Sequence, residues 1–257
     1  MRLIGKIWWM PLIIYLIITP VLMSGMIATV PCRKIEVSVK DSSDYMFVTR
    51  ERIFGMVQNE KYQVLGDESG KIELARIEEE ISRLRELERA EVYNTIDGTL
   101  HVDADQRDPI VRVINRYGRS QYIDAGGMII PHSEFFTPRV LVISGYIEIG
   151  NKNLQLGDIN SMDDNSLVKQ LFALARYVND DDFWSAQIEQ IWVNPRQELE
   201  MVPRAGNHII KFGPAADYER KFHYLKTLYM DALPIIGWDS YREISLRYDG
   251  QIVCKKR

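Results

Sequence analysis

Cysteine is scarce in this sequence, and so are the residue patterns that carry catalysis. The 257 residues include two cysteines, Cys32 and Cys254, too few for a disulfide framework or a zinc site. The four histidines are scattered and belong to no H-E-x-x-H helix, and no nucleophile elbow or phosphate-binding loop occurs. The run Asp180 to Asp182 lacks the glycine and distal glutamate of a calcium loop. The sequence therefore predicts no catalytic residue, no cofactor and no metal, and it indicates a binding protein rather than an enzyme.

An excess of positive charge is also absent. The chain has 32 basic and 36 acidic side chains, for a formal net charge of -4, and no stripe of lysine and arginine. Nucleic acid is therefore excluded as an expected partner, because phosphate binding needs clustered positive charge. We likewise expect no small-molecule substrate.

One long apolar run is present near the start of the chain. Residues 7–29 contain no charged side chain and are apolar around the whole helical circumference. At about 1.5 Å of rise per residue, a helix of this length matches the hydrocarbon thickness of a bilayer. We expect a single transmembrane helix over residues 7–29, preceded by a cytoplasmic head at residues 1–6. A cleaved secretory signal is the alternative, but the apolar core is long and Met26-Ile27-Ala28 fits a cleavage site poorly.

The orientation of this span rests on the length of the head rather than on charge. Arg2 and Lys6 on one side are matched by Arg33 and Lys34 on the other, so the positive-inside rule barely discriminates. The short head favours an N-terminus inside the cell, with the rest of the chain translocated.

The pattern of apolar and turn residues at positions 33–107 predicts a small α+β domain. Alternating apolar residues at 34–40 predict a strand, and Thr49 is a plausible N-cap for a short helix. A second helix follows from residue 72, where apolar side chains recur at helical spacing. Strand-like runs at residues 90–96 and 99–103 are joined by Asp97-Gly98, a dipeptide suited to a tight turn. The predicted order is strand, helix, helix, strand, strand.

The apolar periodicity of residues 108–257 predicts a mixed β domain with flanking helices and a C-terminal hairpin. Helices with one apolar stripe are predicted near residues 167–178 and 218–232. Strands are predicted at residues 110–114, 120–124, 139–144, 183–193, 197–202, 208–212 and 241–248. Asp249-Gly250 predicts a two-residue turn that places Leu246 opposite Val253 and Ser245 opposite Cys254.

The last predicted strand, residues 251–255, is the candidate binding element. At a sheet edge, its free row of N–H and C=O groups can pair with another polypeptide. The residues alone leave a second interpretation equally open, in which Lys255, Lys256 and Arg257 only keep an unused edge from aggregating.

This arrangement resembles the FtsQ/DivIB family of bacterial cell-division proteins over nearly the whole chain. The order of elements at residues 35–103 looks like a POTRA domain. The passage RDPIVRVINRYGRSQYIDAG at residues 107–126 and the ending YREISLRYDGQIVCKK at residues 241–256 are also similar to the family pattern. The very short head departs from family members with longer heads.

The resemblance implies a non-enzymatic divisome scaffold in the cytoplasmic (inner) membrane, with its bulk periplasmic and enriched at the division septum. Its implied partners are FtsB-like and FtsL-like bitopic proteins and, indirectly, the septal peptidoglycan synthase, so that it would help control septal peptidoglycan synthesis. Carried onto this chain, the site for the FtsB-like segment is Tyr248, Gly250, Gln251, Ile252, Val253, Cys254 and Lys255.

Two other functions remain open at this point. A POTRA-bearing chaperone or translocation subunit for extracytoplasmic client chains would also need no active site. A membrane-anchored cell-wall hydrolase would need one that the sequence does not display.

Overall fold

The computed structural model describes residues 12–19, 29–40, 46–59, 62, 64–133, 136–148 and 157–257. A helix, α1, covers residues 12–19, inside the predicted span. The rest of that span, at residues 7–11 and 20–28, and the predicted head lie outside the described residues. No helix within the described residues is both long enough and apolar enough to cross a membrane.

The chain divides after Gln106 into two compact units. The first has the predicted order of strand, helix, helix, strand and strand, with one additional 3-10 turn at Ser69–Lys71. After α1, its elements are β1 (Lys34–Lys40), α2 (Arg50–Val57), α3 (Leu74–Ser82), β2 (Leu87–Asn94) and β3 (Thr99–Gln106).

The first unit is a three-stranded sheet covered by two helices on one face. β3 lies in the middle, parallel to β1 and antiparallel to β2. Thr49 caps α2 as predicted, because its side chain accepts a hydrogen bond from the Arg52 amide. The predicted Asp97-Gly98 turn is also confirmed, with Gly98 at a positive φ of 83°.

The second unit, residues 107–257, has the predicted mixed α+β character with flanking helices. A π-helical stretch at Leu228–Ala232 joins two of its helices, and a 3-10 turn lies at Ile159–Ser161. Its other elements are β4 (Pro109–Ile114), β5 (Ser120–Asp124), β6 (Ile129–Pro131), β7 (Leu141–Gly145), α4 (Leu167–Asp180), α5 (Asp182–Gln187), β8 (Ile188–Val193), β9 (Leu199–Pro203), β10 (Ile209–Gly213), α6 (Tyr218–Thr227), α7 (Leu233–Ile236), β11 (Tyr241–Ser245) and β12 (Val253–Lys256).

The nine strands of the second unit form one sheet in the order β12-β11-β10-β9-β8-β7-β4-β5-β6. The pairs β4–β7, β7–β8 and β10–β11 are parallel, and the other neighbours are antiparallel. The parallel pair β10–β11 is joined through α6, the π-helical stretch and α7, which is the type of connection that parallel strands require.

One face of this sheet is buried under α4 and α6. A single register row of apolar side chains crosses seven strands on that face. Its members are Val113, Ile143, Ile191, Met201, Ile210, Ile244 and Cys254. Leu171 and Leu174 of α4 and Phe222 and Leu225 of α6 belong to the same core. The row ends on β12, where Cys254 is partly buried against the core.

The opposite face of the sheet, called here the open face, is partly exposed from β8 to β12, whereas Tyr122 and Ile130 are buried on it at the other end. Its neighbouring row contains Trp192, Glu200, Lys211, Ser245 and Val253. The row is held in its middle by a 2.6 Å ion pair between Lys211 and Glu200. Trp192 and Val253 lie exposed toward its two ends. Because side chains alternate between faces along a strand, the two rows fix which residues of β12 face the core and which face solvent.

The prediction of a strand over residues 183–193 is wrong in its first half. Residues Asp182–Gln187 form α5, and the strand begins only at Ile188. The cause is Asp181, whose Oδ1 accepts the amide hydrogens of Phe183 and Trp184, at 2.8 and 3.1 Å, and so starts a helix. Strand β6 was not predicted.

We expect the two tryptophans of this region to differ sharply in their contribution to stability. Trp184 is 1% exposed and packs against Phe222 with a ring-centroid distance of 4.7 Å, whereas Trp192 is 41% exposed. Trp184→Ala should lower the free energy of unfolding by about 3–5 kcal/mol because it leaves a cavity in the core. The matched control, Trp192→Ala, should cost less than about 1 kcal/mol. Denaturant unfolding followed by circular dichroism measures both, and equal losses would contradict the assignment of the core face.

We also expect the second unit to lose stability as the pH falls through about 6.5. His208 is buried, its Nε2 lies 2.8 Å from the Tyr229 hydroxyl, and burial lowers the pKa of its imidazole. The unfolded chain therefore takes up this proton at a higher pH than the folded chain does, so acidification favours unfolding. Asp239, which raises this pKa, and Arg257, which lowers it, act on it more weakly than burial. His208→Gln should remove this pH step in thermal unfolding, whereas His223→Gln, at an exposed position, should retain it. The same step in both variants would contradict the role of His208.

Candidate functional site

β12 lies at one end of the nine-stranded sheet. It pairs antiparallel with β11 on one side, and no described strand pairs with its other side. The position of the predicted binding strand at a sheet edge is therefore observed. An edge strand of this kind offers its outer row of backbone groups to another chain.

Two hydrogen bonds fix which backbone groups of β12 point outward. Leu246 donates its amide to Lys211 of β10, and Arg257 donates its amide to Ser240, which precedes β11. The direction of the backbone N–H and C=O groups alternates along a strand. The groups of Ser245 and Glu243 therefore point toward β12, where they face those of Val253 and Lys255. The amide and carbonyl groups of Cys254 and Lys256 therefore point away from β11, toward the open side.

The predicted register of the terminal hairpin is wrong by one residue. Val253 lies opposite Ser245 instead of Leu246, and Cys254 lies opposite Ile244 instead of Ser245. β11 ends at Ser245, and the next residue, Leu246, is buried and still donates its amide to β10. A seven-residue connection, residues 246–252, then replaces the continuous two-residue hairpin. A shift of one residue changes which cross-strand neighbours share a face.

The predicted site residues occupy three environments. Tyr248, Gly250 and Gln251 are exposed in the connection, where Gly250 has a positive φ of 71°. Ile252 and Cys254 pack partly against the core, and burial raises the pKa of the Cys254 thiol. Val253 and Lys255 lie on the open face of the sheet. The structure therefore brings these residues to one edge but divides them between its two faces.

A cleft of about 260 Å³ flanks the connection before β12. Arg220 of α6 reaches Asp249 at 2.8 Å, and Arg247 reaches Glu198 at 2.6 Å. Lys221 donates to the carbonyl of Pro214, and burial lowers the pKa of its ammonium group. Sequence reasoning missed Arg220 and Lys221, because they approach the hairpin from a helix about 30 residues earlier. No sequence signal connects these two segments.

The other sheet edges differ in their accessibility. On β2 of the first unit, Glu78 accepts the Val92 amide at 3.0 Å, so a helix side chain occupies that edge. On β6, the Ile129 amide donates to Gly157, and Met128 bridges to Asp158. β1 is an edge strand as well, with a small cavity beside it lined by Val37 and Phe54. Among the sheet edges of the second unit, the β12 side is therefore the one without such a cover in the described chain.

A metal centre is not formed by the described residues. They contain no cluster of three or more histidine, cysteine, aspartate or glutamate side chains arranged to hold an ion.

Comparison with known protein families decides the identity of both units. Residues 108–255, more than half of the 257 residues, match the model described as FtsQ/DivIB, C-terminal related. The chain belongs to the FtsQ/DivIB family. Residues 30–105 match the model of a POTRA-like domain, and no curated protein matches the chain.

The family assignment confirms the resemblance drawn from the sequence and gives a general function. FtsQ/DivIB domains indicate a cell-division scaffold. FtsQ/DivIB and POTRA domains are generally non-enzymatic. The β12 edge therefore lies on a domain whose family is generally non-enzymatic and indicates a cell-division scaffold.

We expect the conformation at Gly250 to limit the stability of the terminal hairpin. A Cβ atom there would meet nothing within 4 Å, so the constraint is the positive φ of 71° rather than space. Gly250→Val should destabilise the hairpin by about 1–2 kcal/mol, and Gly250→Asn by less, because asparagine tolerates this conformation better. Hydrogen exchange at the Val253 and Lys255 amides measures the effect. Equal protection in both variants would show that the turn adopts another conformation.

Proposed function

We propose that this FtsQ/DivIB-family chain is a membrane-anchored, non-enzymatic divisome scaffold that binds FtsB-like and FtsL-like bitopic partners. An FtsB-like segment adds as an extra strand to the free edge of β12, and the assembly helps control septal peptidoglycan synthesis. The anchor is the apolar span at residues 7–29, with the N-terminus inside and the two units on the outer side of the cytoplasmic membrane.

The observation that carries this proposal is the free edge of β12 in a domain of the FtsQ/DivIB family. Strand addition needs outward backbone donors and acceptors, which Cys254 and Lys256 provide. It also needs a strand that is already held in place. β12 meets this need through its ladder with β11 and through the packing of Ile252 and Cys254 against the core.

The side chains of β12 favour an acidic partner strand. Lys255 and Lys256 are exposed, and neither forms an ion pair with another residue that the structure describes. Lysines on an edge strand also discourage self-association. Both properties suit a surface that rejects copies of itself and accepts a chain of opposite charge.

The sharpest test removes one outward hydrogen-bond donor without breaking the inward ladder. Cys254→Pro deletes an amide hydrogen that points away from β11, a position at which an edge strand tolerates proline. We expect the affinity for the FtsB-like partner to fall at least tenfold, or about 1.4 kcal/mol, because the added strand loses a donor and meets the proline ring. Recovery of the partner with the full-length chain from detergent-solubilised membranes measures this effect.

Cys254→Ala is the matched control, because it removes the thiol but retains the amide hydrogen. It should bind the partner as the wild type does, and the Val253 and Lys255 amides should remain protected in both variants. Deletion of residues 251–257 should abolish recovery. Unchanged recovery with Cys254→Pro would contradict strand addition, and binding of unfolded outer-membrane proteins without mid-cell enrichment of a fluorescent fusion would favour a chaperone.

A further inference from the structure

We propose that the end of the first unit next to the predicted membrane span docks on the lipid headgroup layer, with Ile96 and Leu65 inserted among the lipids. This end, called here the anchor end, comprises residues 29–34, 64–71 and 95–98. The inference rests on the membrane anchor of the proposed function, and it is independent of strand addition at β12. The partner is the outer surface of the same bilayer that holds the span.

The first unit holds the chain from the residue that follows the predicted span. The span ends one residue before Val30, whose carbonyl accepts the Ser69 amide at 2.9 Å. The Cys32 amide donates to the Asp67 carbonyl at 2.8 Å, and the Cys32 carbonyl accepts the Gly66 amide at 2.8 Å. Because these bonds begin directly after the span, the anchor end stays at the membrane surface.

The turn between β2 and β3 is held against the same segment. The Arg33 amide donates to the Gly98 carbonyl at 2.8 Å. A Cβ atom at Gly98 would lie 2.5 Å from the Pro31 carbonyl oxygen and 3.1 Å from Cγ1 of Val30. Ile96 is two residues from this contact, a length of chain that spans at most about 7 Å. The tip of the turn therefore lies beside the point at which the predicted span ends.

Two large apolar side chains are exposed at the anchor end. Ile96 is 67% exposed and Leu65 is 42% exposed. They belong to separate loops, and both loops are hydrogen-bonded to residues 30–33. The headgroup layer on each side of a bilayer is about 5–8 Å thick, so side chains next to the end of a span reach into it. Apolar side chains at that depth are removed from water, which stabilises the docked state.

The charges at the anchor end favour apolar insertion over attraction to anionic lipid. Three basic and three acidic side chains are exposed there, namely Arg33, Lys34, Lys71, Asp67, Glu68 and Asp97. Lys71 and Glu68 form an ion pair at 3.3 Å, and the Asp97 carboxylate accepts the Thr95 hydroxyl and the Thr99 amide. Because the formal charges cancel, the surface potential of an anionic leaflet supplies little attraction, and the apolar side chains remain to provide it.

The test places a fluorophore at single cysteines in the full-length chain, reconstituted in phosphatidylcholine nanodiscs that contain nitroxide-labelled lipid. All variants carry Cys254→Ala. Cys32 does not take the label, because it is 2% exposed and burial raises the pKa of its thiol. We expect the nitroxide lipid to quench at least about half of the emission at Ile96→Cys and at Leu65→Cys, since both positions lie in the headgroup layer.

The matched control is Met46→Cys, at the opposite end of the same sheet. Met46 is 46% exposed and precedes Phe47, whose amide donates to the side chain of Gln106 at 2.9 Å. Gln106 ends the eight-residue strand β3, so it lies about 23 Å along the strand from the anchor end. A label at position 46 should be quenched no more than in nanodiscs without nitroxide. Equal quenching at positions 46 and 96 would contradict docking through the anchor end.

A charged substitution tests whether Ile96 holds the unit on the lipid. Ile96→Asp places a charge at an exposed turn position, where aspartate is readily accommodated. It should lower the quenching of the Leu65→Cys label at least about twofold, because a carboxylate is costly to remove from water, whereas Met46→Asp should leave it unchanged. Replacing phosphatidylcholine with phosphatidylglycerol should not alter the quenching at position 96. A requirement for anionic lipid would overturn apolar insertion.

A label inside the predicted span separates this inference from the proposed function. If Met26→Cys is quenched and positions 96 and 65 are not, the anchor end does not dock, while the membrane anchor stands. If Met26→Cys is not quenched either, the anchor itself is wrong and the inference falls with it. Recovery of the FtsB-like partner should be the same for Ile96→Asp as for the wild type, because β12 is unchanged.

Discussion

Burial of one face of the nine-stranded sheet is the constraint on which the second unit depends. The row from Val113 to Cys254 meets α4 and α6, and every strand of that row must keep its apolar side chain on the same face. β12 is the last strand to join this row, through Cys254. The candidate binding edge is therefore positioned by the core, although its outer backbone groups contribute nothing to it.

The edges of the two sheets show how the chain treats unpaired backbone groups. Glu78 satisfies one amide on β2, and Gly157 and Asp158 cover part of β6. β12 lacks such a cover in the described part of the chain and carries two exposed lysines instead. Covering one edge and leaving another open, with charge that prevents self-pairing, is what a scaffold requires if it recruits a different chain without polymerising.

Much of the fold follows from local patterns, and the errors have local causes. The alternation at Lys34–Lys40 and the cap at Thr49 are decided by neighbours a few residues away, so the sequence predicts them well. The strand predicted over residues 183–193 is wrong in its first half because the apolar residues there also suit a helix, which the Asp181 cap begins. The predicted hairpin register is wrong because β11 and β12 are joined by the seven residues 246–252 instead of a two-residue turn at Asp249-Gly250.

The candidate site could also be predicted from the sequence only in part. The existence of a terminal hairpin with Gly250 in its turn could be predicted from Asp249-Gly250. The positions of Arg220 and Lys221 beside this turn could not, because they depend on how α6 and the π-helical stretch return to β11. Helix periodicity marks their buried neighbours, and it carries no information about which exposed side chains end beside a particular strand.

The seven-residue connection at residues 246–252 separates the turn from the register of β12. Because side chains alternate along a strand, a slip of one residue in β12 would turn Val253 toward the core and Cys254 toward the open face. A connection of this length can take up an inserted or deleted residue itself. The packing of Cys254 against the core, rather than the length of the connection, therefore holds the face that β12 presents.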